Sequence, residues 1–144
     1  SRTPRVQLRR GVKALITSAD RVLLVKEKHA DGSSFWTLPG GGVRRDESPT
    51  RALQRELVEE LLSRVTVSDE ITDVWYAHLS YQNRLSVYTV FECDLLSAGI
   101  PNLAEGIFDT QWARPDEIPP ETLLQVRYVL AQYLRHKRES EARA

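Results

Sequence analysis

Apolar residues recur along this chain with two periods, one suited to strands and one to helices. Val12 to Thr17 and Val22 to Glu27 read as a β-hairpin turning at Ser18 to Arg21. The second run carries four consecutive apolar residues, Val22 to Val25, which predicts a strand buried on both faces. Trp36 to Val43 (WTLPGGGV) starts as a strand and is broken by Pro39 and three glycines. Leu53, Leu57 and Leu61 then recur every four residues, an apolar helical stripe that begins near residue 49. Ser48 suits its N-cap, and Pro49 its first position, where the missing N–H costs nothing. Further on come Thr66-Val67, a strand from Thr72 to Leu79, a turn at Tyr81 to Arg84, a strand from Ser86 to Leu96 and a short one at Asp109 to Ala113. After Pro119-Pro120, the stripe Leu123, Val126, Leu130, Tyr133 and Leu134 predicts a final helix over the core. No internal repeat is present. The order predicts an α/β fold, a mixed sheet with a helix on each face.

Composition bounds this picture. At 144 residues, with 41% hydrophobic and 28% charged, the expectation is one domain spanning residues 1–144. Twenty basic and twenty acidic residues balance, so bulk charge gives no reason to expect a nucleic-acid or membrane partner. The apolar runs are too short to span a bilayer and no cleavable leader is visible, so a cytoplasmic protein is expected, with a homodimer left open. Arg2, Arg5, Arg9 and Arg10 at one end, and Arg135, His136, Lys137 and Arg138 at the other, read as solvated, frayed termini, with a phosphate contact from the first cluster as the minority alternative. Cys93 stands alone within a strand and reads as a small buried hydrophobe.

The candidate chemistry lies on the first helix. Glu56, Glu59 and Glu60 fall within about 100° of arc, where like charges weaken an isolated helix by a few tenths of a kcal/mol per pair. A divalent cation accounts for their grouping, and Ala52, lying between them on the wheel, would leave it room. The glycine turn just ahead can bring a backbone carbonyl close to the same place.

With Gly41, Glu47, Arg55, Glu56, Leu57, Glu59 and Glu60 at the required spacing, the chain resembles the Nudix hydrolases, whose signature is G-x5-E-x7-R-E-U-x-E-E-x-G-U, U being aliphatic. Two positions depart: Leu62 replaces the final glycine and Ser63 the last aliphatic residue. A leucine in the left-handed conformation that such a glycine supplies costs roughly 1–2 kcal/mol, so the helix is expected to run on or to exit differently.

The resemblance implies an α/β/α sandwich and hydrolysis of a diphosphate linkage in a nucleoside diphosphate joined to another group, with Mg²⁺ or alternatively Mn²⁺. Glu56 and Glu60 are assigned as principal metal ligands. Glu59 is assigned to a second ion or to water, with the Gly40 carbonyl as a further candidate. Arg55, pointing away from the ions on the wheel, is expected to pair with Glu47 and fix the loop. A loop acid completes the site in several family members, and Glu105 is the candidate here, with Asp109 its rival. Glu105, Glu60 or Glu59 can each serve as general base. The partner expected is a small-molecule nucleoside diphosphate derivative.

Substrate choice is less legible. Trp75, Tyr76, Tyr81 and Tyr88 include candidates for base stacking but read mostly as packing residues. The proline of ADP-ribose pyrophosphatases, about fifteen positions past the box, is replaced by His78, and Tyr81 approximates the tyrosine of dinucleoside polyphosphate hydrolases. His29 and His78 lack zinc spacing. The alternative is a Nudix-fold nucleotide-binding or sensing module without cleavage, opposed by the retained acids. An isoprenoid diphosphate isomerase lacks its expected cysteine near the glycine turn.

Overall fold

The expected hairpin forms over only two rungs. β1 (Gln7–Ser18) and β2 (Arg21–Lys28) pair antiparallel at Thr17 with Val22 and Ser18 with Arg21, and then separate. In the computed structural model, which describes residues 5–77 and 84–144, each strand continues into its own ladder. β1 runs parallel to β6 (Arg84–Leu95) from Gln7 opposite Arg84 to Ile16 opposite Cys93. On its other edge it meets β4 (Gly40–Gly42), antiparallel at Gly11 to Lys13. β2 instead pairs antiparallel with β3 (Ser34–Thr37) and β7 (Asp109–Ala113). β5 (Val65–Ala77) flanks β6 antiparallel, so the sheet is mixed as expected.

One helix covers each face. α1 (Pro49–Leu61) buries Ala52, Leu53, Leu57 and Leu61 against Val12, Ala14, Ile16, Leu23 and Val25. α2 (Leu124–Ala142) buries Val126, Val129 and Leu130 against the opposite face, with Leu15, Val22 and Leu24. The four apolar residues of β2 therefore divide between two cores, and each is at most 2% exposed. That is the two-sided burial its sequence predicts.

Several boundaries differ from the sequence reading. Thr66-Val67 and the strand after it are one strand, β5, whose register shifts between Val67 and Glu70 and again between Glu70 and Thr72. Those irregularities accommodate the polar stretch that interrupts the alternation. Arg84 opens β6 rather than ending a turn, while Leu79, His78 and Tyr81 lie outside the described residues. In α2 Val129 is buried where Leu134, 41% exposed, was expected, because beyond Tyr133 the helix outruns the core. Arg9 and Arg10 are not frayed: both sit in the β1 ladder. Cys93 is buried and unoxidised, and burial pushes its thiol up to about 12, leaving it inert as a nucleophile. No helix among the described residues is long and apolar enough to cross a membrane.

Candidate active site

The candidate site lies where β1 and β2 diverge, and α1 supplies its acids. The helix starts as its sequence dictates, with the Ser48 hydroxyl accepting a 3.2 Å hydrogen bond from the Arg51 N–H and Pro49 in the first turn. Its leucine stripe is fully buried. Ala52 departs from expectation, because it lies wholly within the core beside Leu53 and Leu57 rather than lining open space among the acids. Its small side chain lets the helix approach the sheet. Gly41 works at the same contact, since a Cβ there would come within 2.5–2.6 Å of the Glu56 carboxyl group.

The helix exit corrects the sequence reading. α1 stops at Leu61, and Leu62 itself takes the left-handed conformation (φ 50°, ψ 35°), donating its N–H to the Val58 carbonyl. At 54% exposure Leu62 has little packing with which to offset that strain. Ser63, the other departure, is buried, and its hydroxyl shares a 2.9 Å hydrogen bond with the Ser97 hydroxyl and donates to the Ser97 carbonyl at 3.2 Å. A polar residue therefore occupies an interior position with its hydrogen bonds made.

Arg55 organises the acidic face. Its Nε and Nη2 grip the two Glu47 carboxylate oxygens at 2.6 and 2.8 Å, a bidentate pair that carries out the expected loop-fixing role. The same guanidinium does not point away from the other acids. Nη1 donates to Glu56 at 3.0 Å and Glu59 at 3.2 Å, and Nη2 to the Gly42 carbonyl at 3.0 Å. A long side chain at position 55 reaches its i+1 and i+4 neighbours across the helix surface, which a wheel projection hides. The Arg55 hydrogen bond, the Arg44 N–H and both positive charges hold the Glu47 carboxyl down at about 2.

Glu60 stands apart. Only 8% exposed, it accepts a 3.2 Å hydrogen bond from the Gly40 N–H, and burial pushes its carboxyl up to about 8 despite the attraction of Lys13. Gly40 has φ 148°, and a side chain there would collide with the Val12 carbonyl, so only glycine fits the turn that presents this donor. Lys13, which sequence reasoning missed, is buried opposite Gly40. It donates to the Leu38 carbonyl at 3.1 Å and lies 4.9 Å over the Tyr88 ring. Burial acts to lower the Lys13 pKa, but Glu27, Tyr88 and Glu60 outweigh it and keep the lysine cationic. Glu60 is thus the member of the pair whose charge burial suppresses.

The loop acids are not drawn into this network. Glu105 ends a short 3₁₀ turn (Leu103–Glu105), its N–H donating to the Asn102 carbonyl at 3.0 Å, and it is exposed, its carboxylate in no hydrogen bond or ion pair among the described residues. Asp109, exposed at the start of β7, caps the Thr110 N–H at 2.8 Å. Another missed residue, Asn102, ties the Glu105 loop to the acidic helix by donating to the Glu59 carbonyl at 2.8 Å, while its own N–H reaches the Glu60 carbonyl. Of the aromatic candidates, Tyr76 and Tyr88 stack edge to face beside the second core, whereas Trp75 is 54% exposed. His29 stacks on Phe35 at 4.2 Å, a packing role.

A divalent cation suits the chemistry of these donors, with three carboxylates on one helix and the glycine turn packed against Glu56. Among the described residues the carboxylates are not gathered around one point: Arg55 holds two and the Gly40 N–H the third.

A MutT-like protein of Streptomyces ambofaciens is 34% identical over 110 residues, covering 75% of this chain and 65% of that protein. The nucleoside triphosphatase NudI of Escherichia coli O139:H28 is 30% identical over 91 residues, covering 58% of this chain and 64% of its own. These matches thus span slightly under two thirds of either relative. Among solved structures, a MutT NUDIX hydrolase from Burkholderia pseudomallei superposes with a TM-score of 0.79 at 27% identity, over 88% of this chain and 98% of that one. A MutT protein from Methanosarcina mazei shares the fold at a TM-score of 0.80 and 19% identity, over 94% and 99% of the two chains. The NUDIX domain family profile matches residues 7–134, from β1 into α2 with the acidic helix between, and on that evidence the chain belongs to the Nudix family.

Proposed function

We propose that this protein is a divalent-metal-dependent pyrophosphohydrolase, cleaving a diphosphate linkage in a nucleoside diphosphate joined to another group by attack of water at phosphorus. The observation that carries this reading is the set Glu56, Glu59 and Glu60 on one helix, clamped by Arg55 and backed by the Gly40–Gly42 turn. The relatives' names, MutT-like protein and nucleoside triphosphatase, also favour a nucleotide substrate.

Glu56 and Glu60 would hold Mg²⁺ or Mn²⁺, with Glu59 and the Gly40 carbonyl as further donors. The cation supplies neutralisation of phosphoryl charge. Arg55 keeps Glu47 and the glycine turn in register with the helix. The Gly40 N–H holds Glu60 in place, and Lys13 anchors the turn through the Leu38 carbonyl. Glu105 remains the proposed loop acid, on the loop whose Asn102 bonds the Glu59 carbonyl. We read residues 1–144 as a single domain carrying the whole of this site.

The test is a screen of nucleoside diphosphate compounds, with Mg²⁺ present or stripped by chelation, reading release of phosphate or monophosphate. Turnover is expected only with the cation. Full turnover after exhaustive chelation overturns the assignment of the acids, and no turnover of any compound with Mg²⁺ favours a binding module.

A further inference from the structure

An apolar sheet face needs a cover, and one stretch of this sheet lies beyond the reach of α1. The helix packs on β1 from Val12 onward, where Val12, Ala14 and Ile16 are at most 1% exposed. Strand alternation puts Arg10 and Leu8 on the same face as those three, in the two rows nearer the start of β1. The ladders carry both rows across the sheet. Leu8 pairs with Leu85 on β6, and Arg10 with Val87, which pairs in turn with Trp75 on β5. Val87 is buried by its neighbours, but Leu8 is 49% and Trp75 54% exposed, so the apolar face continues past the helix into solvent.

This face also carries charge of both signs at its two edges. Arg10 stands on β1, and Asp73, two residues before Trp75 and therefore on its face, stands on β5. Both are exposed, and among the described residues neither is in an ion pair. The Trp75 ring likewise meets no other ring and no lysine or arginine head among those residues.

We propose that this face is the contact of a homodimer, in which two copies pack sheet on sheet about a twofold axis running along the strands. Such an axis lays β1 of one copy over β5 of the other and keeps each row level. Arg10 then comes over the ring of Trp75 of the partner subunit, with Asp73 of the partner subunit one row away, while β6 meets β6 through Leu85 and Val87. Symmetry makes each of these contacts twice. An axis across the strands would instead set β1 on β1 and crowd the two Arg10 charges together. A patch of three strands by two rows offers less than the about 800 Å² per partner of a standard interface, so the dimer exchanges with monomer in the micromolar range.

The test is sedimentation equilibrium of the full chain from about 1 μM to about 1 mM. The weight-average mass should climb from one chain toward two. Trp75→Ala and Arg10→Glu should each weaken association about tenfold or more, and the swap Arg10→Glu/Asp73→Lys should recover part of what Arg10→Glu loses. Arg9→Glu, exposed on the opposite face of β1, should associate as the parent does. Because all four positions are exposed, each variant should keep the parent's thermal midpoint, and the comparison is made among variants that do. A single-chain mass at every concentration overturns the dimer. Association unchanged in Trp75→Ala and Arg10→Glu, or weakened equally by Arg9→Glu, overturns this face as its contact.

Discussion

Arg55 and Glu60 divide the acidic face between them, and substitution should separate their contributions. Glu60→Gln keeps an acceptor for the Gly40 N–H and mimics the protonated carboxyl that burial favours, so the thermal midpoint should barely move. Turnover should nevertheless fall by about a hundredfold or more, the scale for loss of a charged group at a reacting centre. Unchanged turnover removes Glu60 from the site. Arg55→Ala strips hydrogen-bond donors from three carboxylates at once and should cost about 1–3 kcal/mol in urea unfolding as well as activity, with Arg55→Lys restoring little because lysine lacks the fork. The Glu47 carboxyl is held at about 2 against an ordinary 4.5, so the unfolded chain binds the extra proton first as pH falls. The stability it contributes is present above 4.5 and lost on acidification toward 2, and Glu47→Gln should flatten that limb of a denaturation series. The Glu47 to Arg55 pair, the cap and the leucine stripe were legible in the sequence because they are set by spacing on or beside one helix. Lys13 and Asn102 were not, since their partners, the Leu38 and Glu59 carbonyls, are remote in the chain. Ala52 was misread for a related reason: a wheel gives the arc a residue occupies, but not what faces it.

At the scale of elements, the exit of α1 is a point of strain that the chain tolerates. Leu62 adopts a backbone conformation suited to glycine while more than half of its side chain stays in solvent. Leu62→Gly should therefore stabilise the fold by about 1 kcal/mol, a rise of about 2–4 °C in Tm, with part of the gain offset by the greater freedom of glycine in the unfolded chain. A drop in Tm would show that the leucine's remaining contacts outweigh its backbone strain. The sequence marked this exit as unusual, yet the pattern could not say whether the helix or the residue would yield. It yielded at the residue, because Ser63 is already committed to Ser97 and the Ile100 and Asn102 N–H groups to the Leu61 and Glu60 carbonyls. Continuing the helix would break those contacts. β5 shows the same limit, since its register shifts satisfy a ladder whose other strand is read only later in the chain.

Over the whole molecule, a mixed sheet between two helices was foreseeable from the order of periods, whereas the divergence of β1 from β2 after two rungs was not. Hydrophobic pattern locates strands, but the choice of neighbour depends on segments far away. The pairing of β1 with β6 carries a kinetic consequence. From Gln7 to Ile16 each residue of the first strand finds its parallel partner in the second half of the chain, Gln7 with Arg84 and Ile16 with Cys93. Closing so long a loop before any contact repays it slows folding, and parallel ladders are intrinsically late. During synthesis the acidic helix and the glycine turn leave the ribosome before β6 exists, so the strand that must receive them still lacks its parallel neighbour. The acids of α1 then wait unassembled, and the step that joins β6 to β1 becomes the step at which a nascent chain gathers the strands beneath its candidate site.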